Sequence, residues 1–339
     1  MTLLGPNFVA HTFQAALPPA KLAAGTGVAF NSAAGEPGQV FFALPGATTH
    51  GIRFADDALS RGAAYVVSDE PHPHGVRVSD PAAALLHLGS LARQRLRGAV
   101  IGITGTAGKT STKAMLAAAM AARSTPGNFN TPYALAQALV HAHLAEAAAD
   151  PGGAEWPALV LELGIDHAGE GALLTAAKGV KLVNASAADH LPPELLEGVS
   201  LVGAHIELNG AAGSVLDAFG RQIALPWPGR PAAENALLAL SMATRLGVPI
   251  ETAVERLLAA NLEGARLERR LLGDLTLIDD SYNSNPVSLR AALELLFAAP
   301  PPRVAFLGDM LELGSLQDAE HRAMGAATRG LDLVVAVGK

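Results

Sequence analysis

Ten residues constrain this chain more than any others: Gly102-Ile103-Thr104-Gly105-Thr106-Ala107-Gly108-Lys109-Thr110-Ser111. The run that leads into them, Ala99-Val100-Ile101-Gly102-Ile103-Thr104, is short, bounded and rich in β-branched residues. That is the pattern of a strand buried on both faces of a parallel sheet. Beyond the glycines, Ser111 to Arg123 reads as a helix. A strand that enters a Gly-rich turn and leaves it as a helix gives such a motif physical meaning. Glycines let backbone N–H groups turn toward phosphate oxygens, and the helix N-terminus adds partial positive charge. Lys109 can reach β- and γ-phosphates as a point charge, and the Thr110 hydroxyl can ligate Mg²⁺. The strict phosphate-loop spacing would put a glycine at 103, where Ile103 stands; glycines sit at 102 and 105 instead. An ordinary strand–turn–helix with a Gly-rich turn is the plainer alternative.

Composition narrows the partners. With 24 basic against 31 acidic residues the formal charge is −7, which argues against a nucleic-acid partner. There are no cysteines, so disulfides, thiolate chemistry and Cys-ligated zinc are excluded. Met1 to Pro19 has no basic n-region and no unbroken apolar core, so it does not read as a signal peptide. No apolar run is long and pure enough to span a bilayer, and a cytoplasmic enzyme is expected. The 339 residues suffice for two or three domains.

The pattern along the chain is α/β throughout. Gly38 to Gly46 reads as a strand ending in a Pro-Gly turn, Phe54 to Arg61 as a short helix, Ala63 to Ser68 as a strand and Pro81 to Arg95 as a helix. Past the Gly-rich loop, strands are expected at Ala158–Leu163 and Lys181–Asn184 with a helix between, then helices from Glu234 to Leu246 and Ile250 to Ala260. That alternation suits an open parallel sheet. A third α/β segment has strands at Leu275–Asp279, Arg303–Leu307 and Leu333–Val337, with helices at Pro286–Phe297 and about Asp318–Thr328. The expected domains are 1–97, 98–263 and 264–339, the last cut short because a parallel sheet rarely ends on a strand without its covering helix.

The shifted spacing Gly-x-x-Gly-x-x-Gly-Lys-Thr resembles the Mur ligase family, enzymes that join amino acids or peptides to a carboxylate at the expense of ATP. Other segments agree in order: Thr125 to Thr131, Leu161 to His167, Asn184 to Leu191, and Leu225 to Arg230 with Asn235. In the third segment, Asp279-Asp280-Ser281-Tyr282-Asn283-Ser284-Asn285-Pro286 and Gly308 to Gly314 most resemble the branch that adds D-alanyl-D-alanine to a UDP-muramoyl tripeptide. Gly38 to Gly46 with Thr49-His50-Gly51 resembles that branch's UDP-binding domain.

The resemblance implies a three-domain architecture: an N-terminal UDP-substrate domain, a central ATP-binding domain on a phosphate-loop parallel sheet, and a Rossmann-like third domain. It implies ATP as co-substrate, Mg²⁺, and a monomer. By the same resemblance Gly105, Thr106, Ala107, Gly108, Lys109, Thr110 and Ser111 grip the nucleotide. Asn235 contacts adenine, although an Asn early in a helix can equally be a cap. Asp280, Tyr282, Asn283 and Asn285 line the nucleotide; the plainer reading is an Asp- and Asn-rich turn before Pro286. Arg266 reaches a phosphate or is simply solvated. Metal would be held by Thr110, Glu162 and His190, with Lys109, Glu162 and His190 carrying the chemistry. Ser32, Asn128, Asn130, Thr131 and His167 stand on the substrate side.

Several positions depart from the family pattern. Asn31-Ser32-Ala33 stands where the family usually has Asp-Ser-Arg. His205 occupies the place of a lysine that family members carbamylate to hold a second Mg²⁺; an imidazole there is a possible but neutral ligand. Pro231-Ala232 replaces the usual His-Asn. The stretch from His190 to Leu225 is shorter than the family norm, as if strands had been lost. Two other readings therefore stay open: a Mur-type amide ligase with another acceptor, and a catalytically reduced nucleotide-binding partner subunit.

Overall fold

The structure, a computed structural model, describes residues 2–46, 48–104, 108–127, 129–149, 158–164, 180–184, 204–260, 268–281, 284–311 and 313–338. The chain separates into two compact units. One comprises Met1–Gly102, Arg123–Lys181 and His190–Leu195; the other comprises Ile103–Ala122, Leu182–Asp189 and Leu196–Lys339.

The first unit opens with helix α1 (Pro6–Thr12), strands β1 (Gly27–Ala29) and β2 (Gln39–Phe42), helix α2 (Ala55–Ser60), strands β3 (Tyr65–Ser68) and β4 (Gly75–Arg77), and helix α3 (Pro81–Arg95). The four strands form a parallel sheet in the order β1-β2-β3-β4, with Val28 opposite Val40 and Phe41 opposite Val66. Parallel strands covered on both faces need apolar side chains throughout, and β1, β2 and β3 are buried along their whole length. Phe41, Ala43, Ala55, Ala58 and Val66 make one core cluster under α2. Tyr65 is fully buried and donates its hydroxyl to the Leu4 carbonyl at 3.1 Å, so its one polar atom is satisfied. Asp80 caps α3 by accepting the Ala83 N–H at 2.9 Å, with Pro81 as the first helical residue.

Strand β5 (Val100–Thr104) follows, with all five residues buried, and leads to helix α4 (Lys109–Met120). Next come strand β6 (Arg123–Ser124), helix α5 (Pro132–Ala148), strand β7 (Leu159–Glu162) and strand β8 (Val180–Asn184). These four strands form a sheet of order β6-β7-β5-β8. The helix expected between Leu163 and Lys181 lies outside the described residues. Helix α5 packs along α3 and against β1.

In the second unit, strands β9 (His205–Leu208), β10 (Ser214–Ala218) and β11 (Arg221–Leu225) form an antiparallel sheet of order β11-β10-β9. The stretch read as depleted thus still carries three strands. Helices α6 (Arg230–Arg245) and α7 (Ile250–Ala259) follow, and both pack on α4. Helix α6 begins four residues before the expected Glu234, because Gly229 turns the chain at φ 85° and a proline enters the first turn. The last segment holds an antiparallel hairpin of β12 (Glu268–Leu272) and β13 (Leu275–Asp279), helix α8 (Pro286–Ala298), strand β14 (Val304–Leu307), helix α9 (Gln317–Ala327) and strand β15 (Leu333–Ala336). Strands β14 and β15 pair in parallel, Val304 opposite Leu333. Leu272, Leu275, Phe306 and Leu333 on these strands are all more than half exposed. Among the described residues no helix is long and apolar enough to cross a membrane.

Candidate functional site

The end of β5 and the start of α4 carry the most distinctive local geometry. Thr104 is buried at the strand end. Gly105, Thr106 and Ala107 lie outside the described residues. Gly108 stands at the N-cap of α4 with φ 76° and ψ 0°, a left-handed conformation that residues with a Cβ adopt at a cost. Its carbonyl accepts the first helical N–H, that of Thr112, at 2.9 Å. Lys109 and Thr110 follow half-buried, and Ser111 is buried. The first turn of α4 contains no acidic residue, so no carboxylate there competes with an anion for the helix N-terminus. This geometry suits a polyphosphate.

A second helix closes on that turn. Asn235 of α6, 9 % exposed, accepts the hydroxyl of fully buried Thr112 on Oδ1 at 3.0 Å. A Cβ placed on Gly108 would come within 2.6 Å of the same Oδ1. The carboxamide is therefore neither a helix cap, since Gly229 holds that position, nor a group turned away from the fold. The sequence offered no sign of the partner: Thr112 reads there as an ordinary helical residue.

In the first unit, β7 ends on Glu162, a carboxylate only 2 % exposed. It occupies the strand end where open α/β sheets gather ligands. The loop before α5 lies against this strand end: the Gly164 N–H donates to the Asn130 carbonyl, and a Cβ on Gly164 would meet Asn130 Cγ at 2.9 Å. Asn130 is thus brought beside the segment that carries Glu162. Thr131 caps the helix that follows. Its hydroxyl oxygen accepts the Ala134 N–H at 3.3 Å as the N-cap of α5. Asn128 and His167 lie outside the described residues.

Ser32 sits half-buried beside Asp57 of α2, whose carboxylate also takes the Arg61 guanidinium at 3.0 Å. The Ser32 hydroxyl, then Arg61, hold the Asp57 carboxyl below the usual carboxylate range. Ser32, Asn31, Glu36, Gln39 and Arg61 rim a shallow surface depression.

The remaining candidates lie elsewhere along the chain. His205 begins β9, exposed, opposite Asp217. Among the described residues no three His, Asp or Glu side chains gather as a metal site. Asn285 is the N-cap of α8: its Oδ1 accepts the Ser288 N–H at 2.9 Å, and the Ser288 hydroxyl oxygen accepts the Asn285 N–H at 3.2 Å. The two bonds make a reciprocal capping box. Asp279 accepts both the N–H and the hydroxyl of Ser281, which with Arg270 lower its carboxyl below the usual range. Asp280 is half-buried next to it. His190, Arg266, Tyr282 and Asn283 lie outside the described residues.

Comparison with known proteins bears on these elements together. The Mur ligase family, catalytic domain, matches residues 26–150, and the Mur ligase, glutamate ligase domain, matches residues 265–339. The UDP-N-acetylmuramoyl-tripeptide–D-alanyl-D-alanine ligase of Mycobacterium bovis is 31 % identical, over 92 % of this chain and 77 % of its own length. The Escherichia coli protein of the same name is 29 % identical, over 89 % of this chain and 79 % of its own. A crystal structure of MurF from Acinetobacter baumannii superposes with a TM-score of 0.79 at 25 % identity, covering 98 % of this chain and 85 % of that one.

Proposed function

The chain belongs to the Mur ligase family, and on that premise we propose that it is the ATP-dependent ligase joining D-alanyl-D-alanine to a UDP-N-acetylmuramoyl tripeptide. The observation that carries the reading is the left-handed Gly108 at the head of α4, followed by Lys109 and Thr110, in a chain aligned over about nine-tenths of its length with ligases of that name.

The reaction has two steps. A substrate carboxylate oxygen attacks the γ-phosphorus of ATP, the bond to the β-phosphate oxygen breaks, and ADP leaves an acyl phosphate behind. The amine of D-alanyl-D-alanine then attacks the acyl carbon, loses a proton, and inorganic phosphate departs as the amide forms. The obstacle in the first step is the approach of two anions, so catalysis rests on positioning and charge neutralisation. Lys109 and the N–H groups at the head of α4 supply positive potential to the phosphates. Mg²⁺ when bound neutralises further phosphate charge. The Thr110 hydroxyl is a hard oxygen donor of the kind Mg²⁺ accepts, and the Glu162 carboxylate at the end of β7 is a donor of the same class. Asn130, held beside the Glu162 strand end, would serve the substrate side in this reading. As a maker of peptidoglycan precursor from a nucleotide-linked substrate, the protein would work in the cytoplasm, as a monomer.

The test is phosphate release by the purified chain with ATP, Mg²⁺, UDP-muramoyl tripeptide and D-alanyl-D-alanine. Turnover is expected, and Lys109→Ala should abolish it while leaving the circular dichroism spectrum unchanged. Clear ATP binding without turnover would favour the second reading, a nucleotide-binding partner subunit. That reading draws on His205, which stands exposed opposite Asp217 at the place of the family lysine.

A further inference from the structure

Helix α5 meets the first sheet through one stripe of its side chains, Tyr133, Gln137 and His141. Residues four apart share a helix face, and all three reach the same short run of chain. Tyr133 packs edge-on against the Phe30 ring, with centroids 6.4 Å apart. The Gln137 amide donates to the Val28 carbonyl at 2.7 Å. Nε2 of His141 lies 2.9 Å from the Val28 nitrogen and 3.0 Å from its carbonyl oxygen, so either neutral tautomer pairs with Val28. A Cβ on Gly27 would stand 2.8 Å from the same Nε2, so the close approach depends on a residue without a side chain.

This stripe lies between the two groups read as substrate contacts. Past Phe30 the chain runs directly into Asn31 and Ser32, at the rim of the surface depression. Ahead of Tyr133 stand Thr131, which caps α5, and Asn130, whose carbonyl accepts the Gly164 N–H at 3.4 Å. The buried residues of α5 are apolar except for Glu146. Apolar contact is non-directional and leaves a helix free to slide along its neighbour. Hydrogen bonds to a backbone have a defined direction and distance. Gln137 and His141 therefore fix where along β1 the helix sits, and with it the separation of Ser32 from Asn130.

We infer that Gln137 and His141 are positioning residues that set the spacing between the nucleotide end of the UDP-linked acceptor, at Ser32, and its reacting carboxylate, beside Asn130 and Glu162. The inference rests on the substrate reading of Ser32 and Asn130. Binding energy from a remote part of a substrate speeds the reaction only when the reacting end is held in place at the same time. The nucleotide should therefore accelerate turnover only while the register of α5 on β1 holds.

The experiment measures turnover by the full chain of two acceptors, UDP-N-acetylmuramoyl tripeptide and the same muramoyl tripeptide without its nucleotide. The wild type should favour the first. Gln137→Met and His141→Phe keep the side-chain bulk and lose the bonds to Val28, and Gly27→Ala pushes the imidazole away from β1. Each should cut the preference in kcat/KM about tenfold, the worth of one hydrogen bond. Turnover of the acceptor without nucleotide, and the KM for ATP, should stay at wild-type values. His141→Gln, which retains groups able to pair with Val28, should keep much of the preference. A merely structural loss would lower the melting midpoint and slow both acceptors alike, and that result overturns the inference. So does an undiminished preference in Gln137→Met and Gly27→Ala, and these two decide should His141→Phe fail to fold. A wild-type chain that turns over both acceptors equally would instead remove the Ser32 reading, and one that turns over neither would remove the ligase reading; the inference falls with either.

Discussion

Val28 donates its backbone N–H to Nε2 of His141 at 2.9 Å, across 113 residues of sequence. The Val28 carbonyl, 3.0 Å from the same Nε2, also accepts the Gln137 side-chain N–H at 2.7 Å; the ring nitrogen accepts the Val28 N–H in the tautomer that leaves Nε2 unprotonated and donates to the carbonyl in the other. Val28 lies on β1, the edge of its sheet, and an edge strand needs its outward groups paired or covered. Helix α5 does both.

A pH dependence follows. Burial pushes the His141 pKa below its ordinary value, outweighing the opposing pull of the Val28 backbone and the Glu36 charge. His143 on the same helix is lowered by burial and by Arg95, with Glu146 opposing. With the folded value depressed, the unfolded chain takes up protons first as pH falls. Stability is then full above the unfolded pKa of about 6.5 and is lost below it, toward the folded value. The melting midpoint of the wild type should drop between about pH 7 and about pH 5, and His141→Gln should flatten part of that drop. Calorimetric scans across this range check it; a variant profile as steep as the wild type would clear His141 of the effect.

Glu146 pins the chain where α3 gives way to β5. Its two carboxylate oxygens accept the Arg97 N–H at 2.9 Å and the Gly98 N–H at 3.0 Å, and the residue is 8 % exposed. It also faces Arg93, whose pKa burial lowers and Glu146 raises. Glu146→Gln keeps the shape but turns one acceptor into a donor aimed at a backbone N–H. The expected loss is about 1–3 kcal/mol of unfolding free energy, read from urea denaturation. An unchanged midpoint would mean that this linker carries no such anchor.

The sequence revealed most where the physics is local. Pro81–Arg95 and Leu275–Asp279 match their expected bounds because Asp80-Pro81 and an apolar run bounded by turn residues are signals within a few residues of the element. Helix α5 went unread: its face toward α3 and β1 mixes Ala, Leu, Gln and His, without a clear apolar stripe. Strands β9 to β11 were missed because exposed, polar strands such as His205–Leu208 take their identity from pairing with β10, a non-local cause. At the site, Gly108 and Lys109 were legible from spacing alone. The engagement of Asn235 by Thr112 was not, since it joins residues 123 apart through a tertiary contact.

Asn285 offers a direct choice between cap and ligand. As the N-cap of α8 in a capping box with Ser288, its replacement by Ala should cost about 0.5–2 kcal/mol. Asn285→Asp or Asn285→Ser, which retain a capping oxygen, should restore most of it. A nucleotide contact that needs the amide would behave in the opposite way, with ATP affinity lost in all three variants and the melting midpoint unmoved. Thermal melts of the three proteins, with ATP affinity beside them, separate the two roles.

Gly108→Ala meets two obstacles at once. At φ 76° a Cβ costs about 1–2 kcal/mol through the clash of left-handed backbone with its own carbonyl. The methyl would also arrive 2.6 Å from Asn235 Oδ1, closer than van der Waals contact permits. The two strains differ in how they can be relieved. Asn235→Ala in the same chain makes room for the methyl but does nothing for the dihedral angle. Gly108→Ala should therefore remain folded with a lowered melting midpoint and lose most ATP affinity, and adding Asn235→Ala should recover part of the midpoint without recovering the affinity. Full recovery of ATP binding in the double variant would show that the left-handed turn is dispensable and that crowding by Asn235 alone had been the defect.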